Sequence, residues 1–304
     1  MNAPEVTGGQ LDRHLPITAV PVRHPWRWVF VVVLAVLAAM LIHSLVTNKE
    51  WNWPIVWQYL FSRPILQGLW RTVWITVVAM IAGILLGIIL AVMRLSPNPV
   101  VKTVAWIYIW FFRGTPVLVQ IVFWSFLAVL YRYLSLGIPF GKEFLFFDTN
   151  LLIPTIVGGV IALSLNEGAY MAEIVRSGIL SVDPGQTEAA EALGMTRLKV
   201  MRRIVLPQAM RIIVPPTGNE TISMLKTTSL LTIASILELF GTAQFIYGNN
   251  YQQIPLLVVA SLWYLLLTSV MSVGQYFLER KYGRGVATRS RVRVPRAQRQ
   301  AQNG

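Results

Sequence analysis

The chain contains no cysteine among its 304 residues, which excludes disulfides, thiolate nucleophiles and cysteine-ligated zinc. Histidine is nearly as scarce. His14, His24 and His43 are scattered and form no ligand set, so metal catalysis has no support. Charged residues make up only 13% of the chain, and the 13 acids are outnumbered by 26 bases. No G-x-x-x-x-G-K-[ST] loop is present, and the apolar runs leave no room for a nucleotide-binding domain between them. An H-E-x-x-H pair, or a serine with an evident base, is missing too, which removes the usual constellations of an intramembrane enzyme.

What is abundant is apolar surface. A hydrophobic fraction of 55% and a mean hydropathy of +0.58 belong to a polytopic membrane protein, so the expected fold is all-α with the lipid bilayer as its first partner. A net charge of +13 would fit a nucleic-acid binder if the bases shared one solvent face. Here they flank apolar spans instead, which argues against nucleic acid and for membrane topology.

Read in order, residues 1–27 carry Pro4, Pro16, Pro21 and Pro25 without apolar periodicity and are expected to be a disordered leader. Residues 28–48 hold a first span from Trp28 to Val46, too long for a signal-peptide core and lacking a cleavage site. Lys49 to Gln67 reads as an interfacial connection rich in tryptophan. Thr72 to Met93 is the second span. In it Ala79, Gly83, Gly87 and Ala91 recur every four residues and predict close approach of another helix. Val104 to Tyr131 is the third, kinked or restarted at Gly114 and Pro116, with Arg113 snorkelling to the near interface. Arg132 to Asn150 reads as a loop of mixed charge, and Pro154 to Ser177 as the fourth span. Arg211 to Leu239 is the fifth, disturbed at its start by Pro215 and Pro216; Gly241 to Gln253 is a polar turn, and Ile254 to Leu278 the sixth span. A basic tail over 281–304 ends the chain.

Two spans are less lipid-like than the rest. Asn166, Tyr170, Glu173 and Ser177 form one polar stripe, with Glu167 about 100° to its side, and Glu220, Ser223 and Thr227 form a second, with Lys226 elsewhere on the same helix. A charge at mid-membrane costs about 3 kcal/mol, so these groups should face protein or a water-filled path, and all of them but Ser177 are candidate path residues. For Glu173 the competing reading is that it and Arg176 only mark the end of the span.

Lysine and arginine divide 19 to 4 between the two sets of loops, with three more at span boundaries. The positive-inside rule then puts both termini and the loop at 183–207 in the cytoplasm. That loop is well punctuated. Asp183 can cap a helix starting at Pro184, Gly194 suits a left-handed end, and Thr196 can cap a second helix that carries Arg197, Lys199, Arg202 and Arg203 before Pro207 breaks or bends the path.

Within the loop, Glu188-Ala189-Ala190, three residues, Gly194, nine residues and Ile204-x-Leu206-Pro207 resemble the E-A-A-x3-G-x9-I-x-L-P loop of binding-protein-dependent ABC importer permeases. The segments Phe111 to Pro116, Ala162 to Gly178 and Asn219 to Leu230 look like the polar amino acid branch, and the resemblance runs over residues 65–280. It implies a five-helix permease core in the inner (plasma) membrane of a prokaryote; the leader and first span lie outside that core, a departure that adds one N-terminal helix and makes six spans. It implies a coupling role for Glu188, Ala189, Ala190, Gly194 and Arg197, with Ile204, Leu206 and Pro207 anchoring the loop.

The implied partners are a cytoplasmic ABC ATPase subunit, which would hold the ATP and Mg, an extracytoplasmic amino-acid-binding protein, and a second permease subunit, identical or different. This chain itself would bind no cofactor. The alternative, a secondary transporter or channel for small polar solutes, shares the polar stripes but has no use for an ATPase-docking loop.

Overall fold

The computed structural model describes residues 26–138 and 140–282. The expected leader, up to residue 25, and the tail, from 283, lie outside the described residues. Contacts divide the chain after Trp51 into two units. In the first, α1 (Trp26–Thr47) is a uniformly apolar helix with no buried residue, two residues longer at its start than the apolar run alone indicates.

The second unit carries the permease-like core. It opens with α2 (Trp53–Leu60) and α3 (Arg63–Leu95), the latter 33 residues long and so about 50 Å at 1.5 Å per residue. A bent pair follows: α4 (Pro99–Gly114) and α5 (Val117–Ser125) turn by 101° at the break. After α6 (Leu127–Leu130) come two antiparallel strands, β1 (Tyr133–Gly137) and β2 (Glu143–Asp148), then α7 (Thr149–Leu152) and α8 (Thr155–Leu180). The loop at 183–207 contains α9 (Pro184–Ala192) and α10 (Arg197–Val200). It leads through a π turn at Met201–Val205 into α11 (Leu206–Thr227). A 3-10 segment, Thr228–Ala234, precedes α12 (Leu239–Asn250), and α13 (Gln253–Tyr282) closes the described chain.

Among the described residues, α1, α3 and α13 are long and apolar enough to cross a bilayer alone, and the two bent pairs raise the number to five. The remaining long helix, α8, has 26 residues but carries Glu167, Glu173 and Arg176. It sits at the centre, packed on α3, α4, α5 and α11. The contact with α3 is close because Ala79, Gly83, Gly87 and Ala91 are all buried. A Cβ added at Gly83 would lie 2.6 Å from Glu167 Cγ, and one at Gly87 would strike Met171. The four-residue spacing therefore acts as the sequence predicts, bringing two backbones together without a hydrophobic drive between helices.

Three local expectations are corrected. Residues 133–148 form a β-hairpin rather than an irregular loop. The stretch after Gly241 is helical, because Glu238 caps α12 by accepting from the backbone N–H groups of Phe240 and Gly241. Pro215 and Pro216 lie inside an unbroken α11, and the backbone instead changes course beyond Thr227, where Ser235 takes a left-handed conformation at φ 58°.

Candidate functional site

The break between α4 and α5 follows from proline chemistry. Pro116 has no N–H to give to Phe112, four residues back, so that carbonyl loses its helical donor. Side chains replace it. Gln120 Nε2 donates to Phe112 O at 3.0 Å and also to Thr115, and Asn166 Nδ2 reaches the same carbonyl from α8 at 3.0 Å while donating to Gln120 Oε1 at 3.2 Å. Nearby, Tyr108 donates to the Leu165 carbonyl at 2.8 Å and fixes α4 to α8. Irregular backbone at membrane depth is tolerated where its polar groups are satisfied in this way.

Behind the break opens a polar cavity of about 560 Å³, lined by residues of the 113–117 segment, α8 and α11. It brings together Asn166, Glu167, Tyr170, Glu220, Ser223 and Thr227 from the predicted set. Glu167 is 4% exposed, and its Oε1 has no hydrogen-bond partner among the described residues. Arg113 joins the same cavity with its guanidinium 5.2 Å from the centre of the Tyr170 ring, a cation–π arrangement. Arg113, which the sequence places near the interface, is exposed and sits in the last turn of α4, where it reaches Tyr170 of α8.

Two predicted residues lie elsewhere. Glu173 is paired with Arg176 at 2.8 Å one turn beyond the cavity, and Lys226 is exposed on a different face of α11. A larger cleft of about 950 Å³ near the other end of these helices is lined mostly by aliphatic side chains, with Ser96, Thr217 and Thr221 among them and no charged group, so it suits a charged solute less well.

Both walls of the polar cavity run into the 183–207 loop, α8 entering it and α11 leaving it. Asp183 caps α9 by accepting from Gly185 N at 2.9 Å. At the other end Met195 N donates to Ala190 O and Gly194 N to Glu191 O, with Gly194 at φ 77°, a Schellman ending. Thr196 occupies the capping position of α10 without a side-chain bond, and Pro207 does not break the path. It falls in the first turn of α11, where the wider π turn before it absorbs the lost bond.

Ala190 is buried with Val200 and Val205 in a small core of the loop itself, and Gln208 ties the loop together by donating to Gln186 Oε1 at 2.6 Å. Ala190 therefore faces inward, whereas its neighbour Ala189 and Ala192 face out. The exposed surface is made by Glu188, Ala189, Ala192, Arg197, Lys199, Arg202 and Arg203, around Leu193 at 84% and Leu198 at 78% exposure. Ile204 is half-buried against this core, and Leu206 and Pro207 begin α11. The two leucines escaped sequence reading. Their only signal is an apolar residue beside a left-handed glycine and another inside a basic run.

A helical membrane protein with a polar cavity at a helix break, and a capped basic loop joining the cavity walls, is a transport subunit. Comparison with known proteins agrees. Residues 83–284 match the family described as binding-protein-dependent transport system inner membrane component. The chain is 49% identical over 279 residues to the arginine transport system permease protein ArgU of Corynebacterium glutamicum, covering 91% of this chain and 87% of that one. It is 37% identical over 200 residues to the L-cystine transport system permease protein TcyB of Bacillus subtilis, covering 65% and 77%.

A crystal structure described as an amino acid ABC transporter with histidines superimposes with a TM-score of 0.60 at 34% identity, over 72% of this chain and 94% of that one. The MetNI methionine transporter in inward-facing conformations shares the fold, with a TM-score of 0.57 at 18% identity, over 73% and 99%. The chain belongs to the inner-membrane components of binding-protein-dependent ABC importers, as the loop motif predicts. It is a permease subunit and not itself an enzyme.

Proposed function

We propose that this chain carries amino acids inward across the plasma membrane, that its polar cavity is the substrate station, and that the substrate is a cationic amino acid. The cavity presents two carboxyl groups, Glu167 and Glu220, against one guanidinium, Arg113. That balance suits a solute with one carboxylate and two positive groups, the carboxylate meeting Arg113 and the cations meeting the glutamates. ArgU, the relative at 49% identity, is described as an arginine permease, which supports the same choice.

The observation that carries the proposal is the continuity of α8 and α11 from the cavity into the 183–207 loop. Tyr170 lies ten residues before Leu180, about 15 Å along α8, so a displacement of the loop moves two cavity walls together. In this reading the loop docks on a separate ATPase subunit in the cytoplasm, where ATP and Mg are bound. Leu193 and Leu198 enter a pocket of that partner, and the surrounding arginines and lysine meet acidic groups at its rim. Closure of the ATPase then shifts the permease between inward-facing and outward-facing states. The permeases act as a pair, each of six spans counting α8. Both termini are cytoplasmic, and an extracytoplasmic binding protein delivers the substrate.

The test is uptake into vesicles holding the permease, its ATPase and its binding protein. ATP-dependent uptake of arginine is expected, and Glu220→Gln should reduce it about tenfold, the loss of one charge-assisted bond of about 1.5 kcal/mol. Uptake of no amino acid would overturn the function. Uptake of arginine that is unchanged in Glu220→Gln and in Glu167→Gln would remove the cavity assignment alone.

A further inference from the structure

The β-hairpin has no counterpart in the transport reading, and its surface is unusual. Register pairs Leu134 with Phe147 and Leu136 with Leu145 on one face, and Ser135 with Phe146 on the other, where Tyr133 faces Asp148. Leu136, Leu145 and Phe146 are each more than half exposed, and Phe140 at the tip is uncovered and held at φ 63°. Apolar side chains thus occupy both faces and the tip. A lone two-stranded hairpin is marginally stable in water, so this one calls for something to cover its apolar side chains.

Its position says what that cover is. The hairpin joins α6 to α7 and stands at the opposite end of α8 from the 183–207 loop, about 39 Å away along the helix. Its base is fixed there. Thr149 N donates to the Arg132 carbonyl, and Asp148 caps α7 by accepting from Asn150 and Leu151. Exposed apolar residues lead up to it, Phe123, Phe126, Val129 and Leu130 among them, and Leu151 of α7 is 83% exposed on its far side.

We infer that the hairpin lies in the interfacial layer of the outer leaflet of the membrane, with Phe140 and Phe146 at the boundary with the acyl chains. The leaflet rests on the orientation proposed above. A protein partner would cover one face, whereas immersion covers both faces and the tip. The ribbon's two outer edges carry unpaired N–H and C=O groups, which bars the hydrocarbon core and is met at headgroup depth, where water and phosphate oxygens are available. Aromatic residues beside Arg132 and Lys142 have the composition of an interfacial belt, and Arg132 stacks over Tyr133 at 5.5 Å. Glu143 and Asp148 balance those two bases, so the attraction is apolar and needs no anionic lipid.

The absence of cysteine makes the test direct. Full-length Phe140→Cys and Leu151→Cys, each carrying a nitroxide in phosphatidylcholine nanodiscs, are compared for collision with oxygen and with a water-soluble nickel chelate. Leu193→Cys is the aqueous reference and Phe126→Cys the lipid reference. Both hairpin-side labels should favour oxygen, with nickel accessibility several-fold below that at Leu193 and unchanged by 0.5 M salt, a condition chosen to be about five times a 0.1 M buffer. Nickel accessibility equal to that at Leu193 would overturn the inference, as would protection that arises only when the binding protein is added. A membrane-impermeant thiol reagent should label Lys142→Cys and Leu193→Cys from opposite sides. Labelling from the same side would overturn the choice of leaflet and the orientation reading, while a transport defect alone would touch neither measurement.

Discussion

Asn166 of α8 donates its side-chain amide to the carbonyl oxygen of Phe112 at 3.0 Å, taking over from the N–H that Pro116 lacks. The same amide also reaches Gln120, a buried residue, so removing it strips a partner from two groups at once. Asn166→Leu should cost about 1–3 kcal/mol, seen as a lower unfolding midpoint of the purified protein in detergent. Uptake should fall as well, because the 113–117 wall of the cavity is held by this bond. An unchanged midpoint would show that the break is held by Gln120 alone.

Gly83 makes room for Glu167. A methyl group there would lie 2.6 Å from Glu167 Cγ and must push the glutamate or part the helices, so Gly83→Ala should destabilise by about 1–3 kcal/mol. The atom it meets belongs to a side chain rather than to the backbone. Glu167 Cβ lies 2.7 Å from the same methyl, so only a Glu167→Gly background clears both atoms; there the substitution should cost much less, and a double-mutant cycle on unfolding midpoints measures the difference. Equal costs in both backgrounds would mean that α3 and α8 separate instead.

Glu238 is fully buried where α12 begins. It accepts from Thr72 at 3.2 Å, from Tyr264 at 2.7 Å and from two backbone N–H groups, joining α3, α12 and α13. Tyr264→Phe removes one donor from a carboxyl that keeps the other three and should cost about 1–3 kcal/mol. Glu238→Ala should cost more, since it also abolishes the cap, and hydrogen exchange should then rise first at the backbone N–H groups of Phe240 and Gly241.

Much of this architecture was legible because membrane spans are written in length and apolarity, and caps in a few residue types. Asp183, Pro184 and Gly194 were readable for that reason, and so was the face of Ala79, Gly83, Gly87 and Ala91. What was hidden depends on direction. Arg113 looks interfacial on any hydropathy profile, and its place over Tyr170 beside the cavity depends on how α4 packs on α8. Ala190 and Ala192 are chemically alike, yet one faces the loop's own core and the other faces out. The hairpin hid behind Arg132, Lys142, Glu143 and Asp148, whose charges read as an ordinary loop while the residues between them pair across two strands.

Gly194 offers the cleanest test of the loop, because conformation and packing separate there. Its φ of 77° is a left-handed value, and a Cβ added to it would meet nothing within 4 Å. A side chain at this position is therefore penalised through the backbone alone, by about 1–2 kcal/mol for most residues, with asparagine the best tolerated and β-branched residues the worst. Gly194→Val should undo the Schellman ending, shift Leu193 and reduce both copurification of the ATPase and substrate-stimulated ATP hydrolysis. Gly194→Asn should keep most of each. Leu193→Ser supplies the complement, since it leaves the backbone intact and removes the exposed apolar group, so weakened ATPase binding with an unchanged unfolding midpoint is expected. Should Gly194→Val and Leu193→Ser both retain full stimulated hydrolysis, coupling must run through another part of the chain.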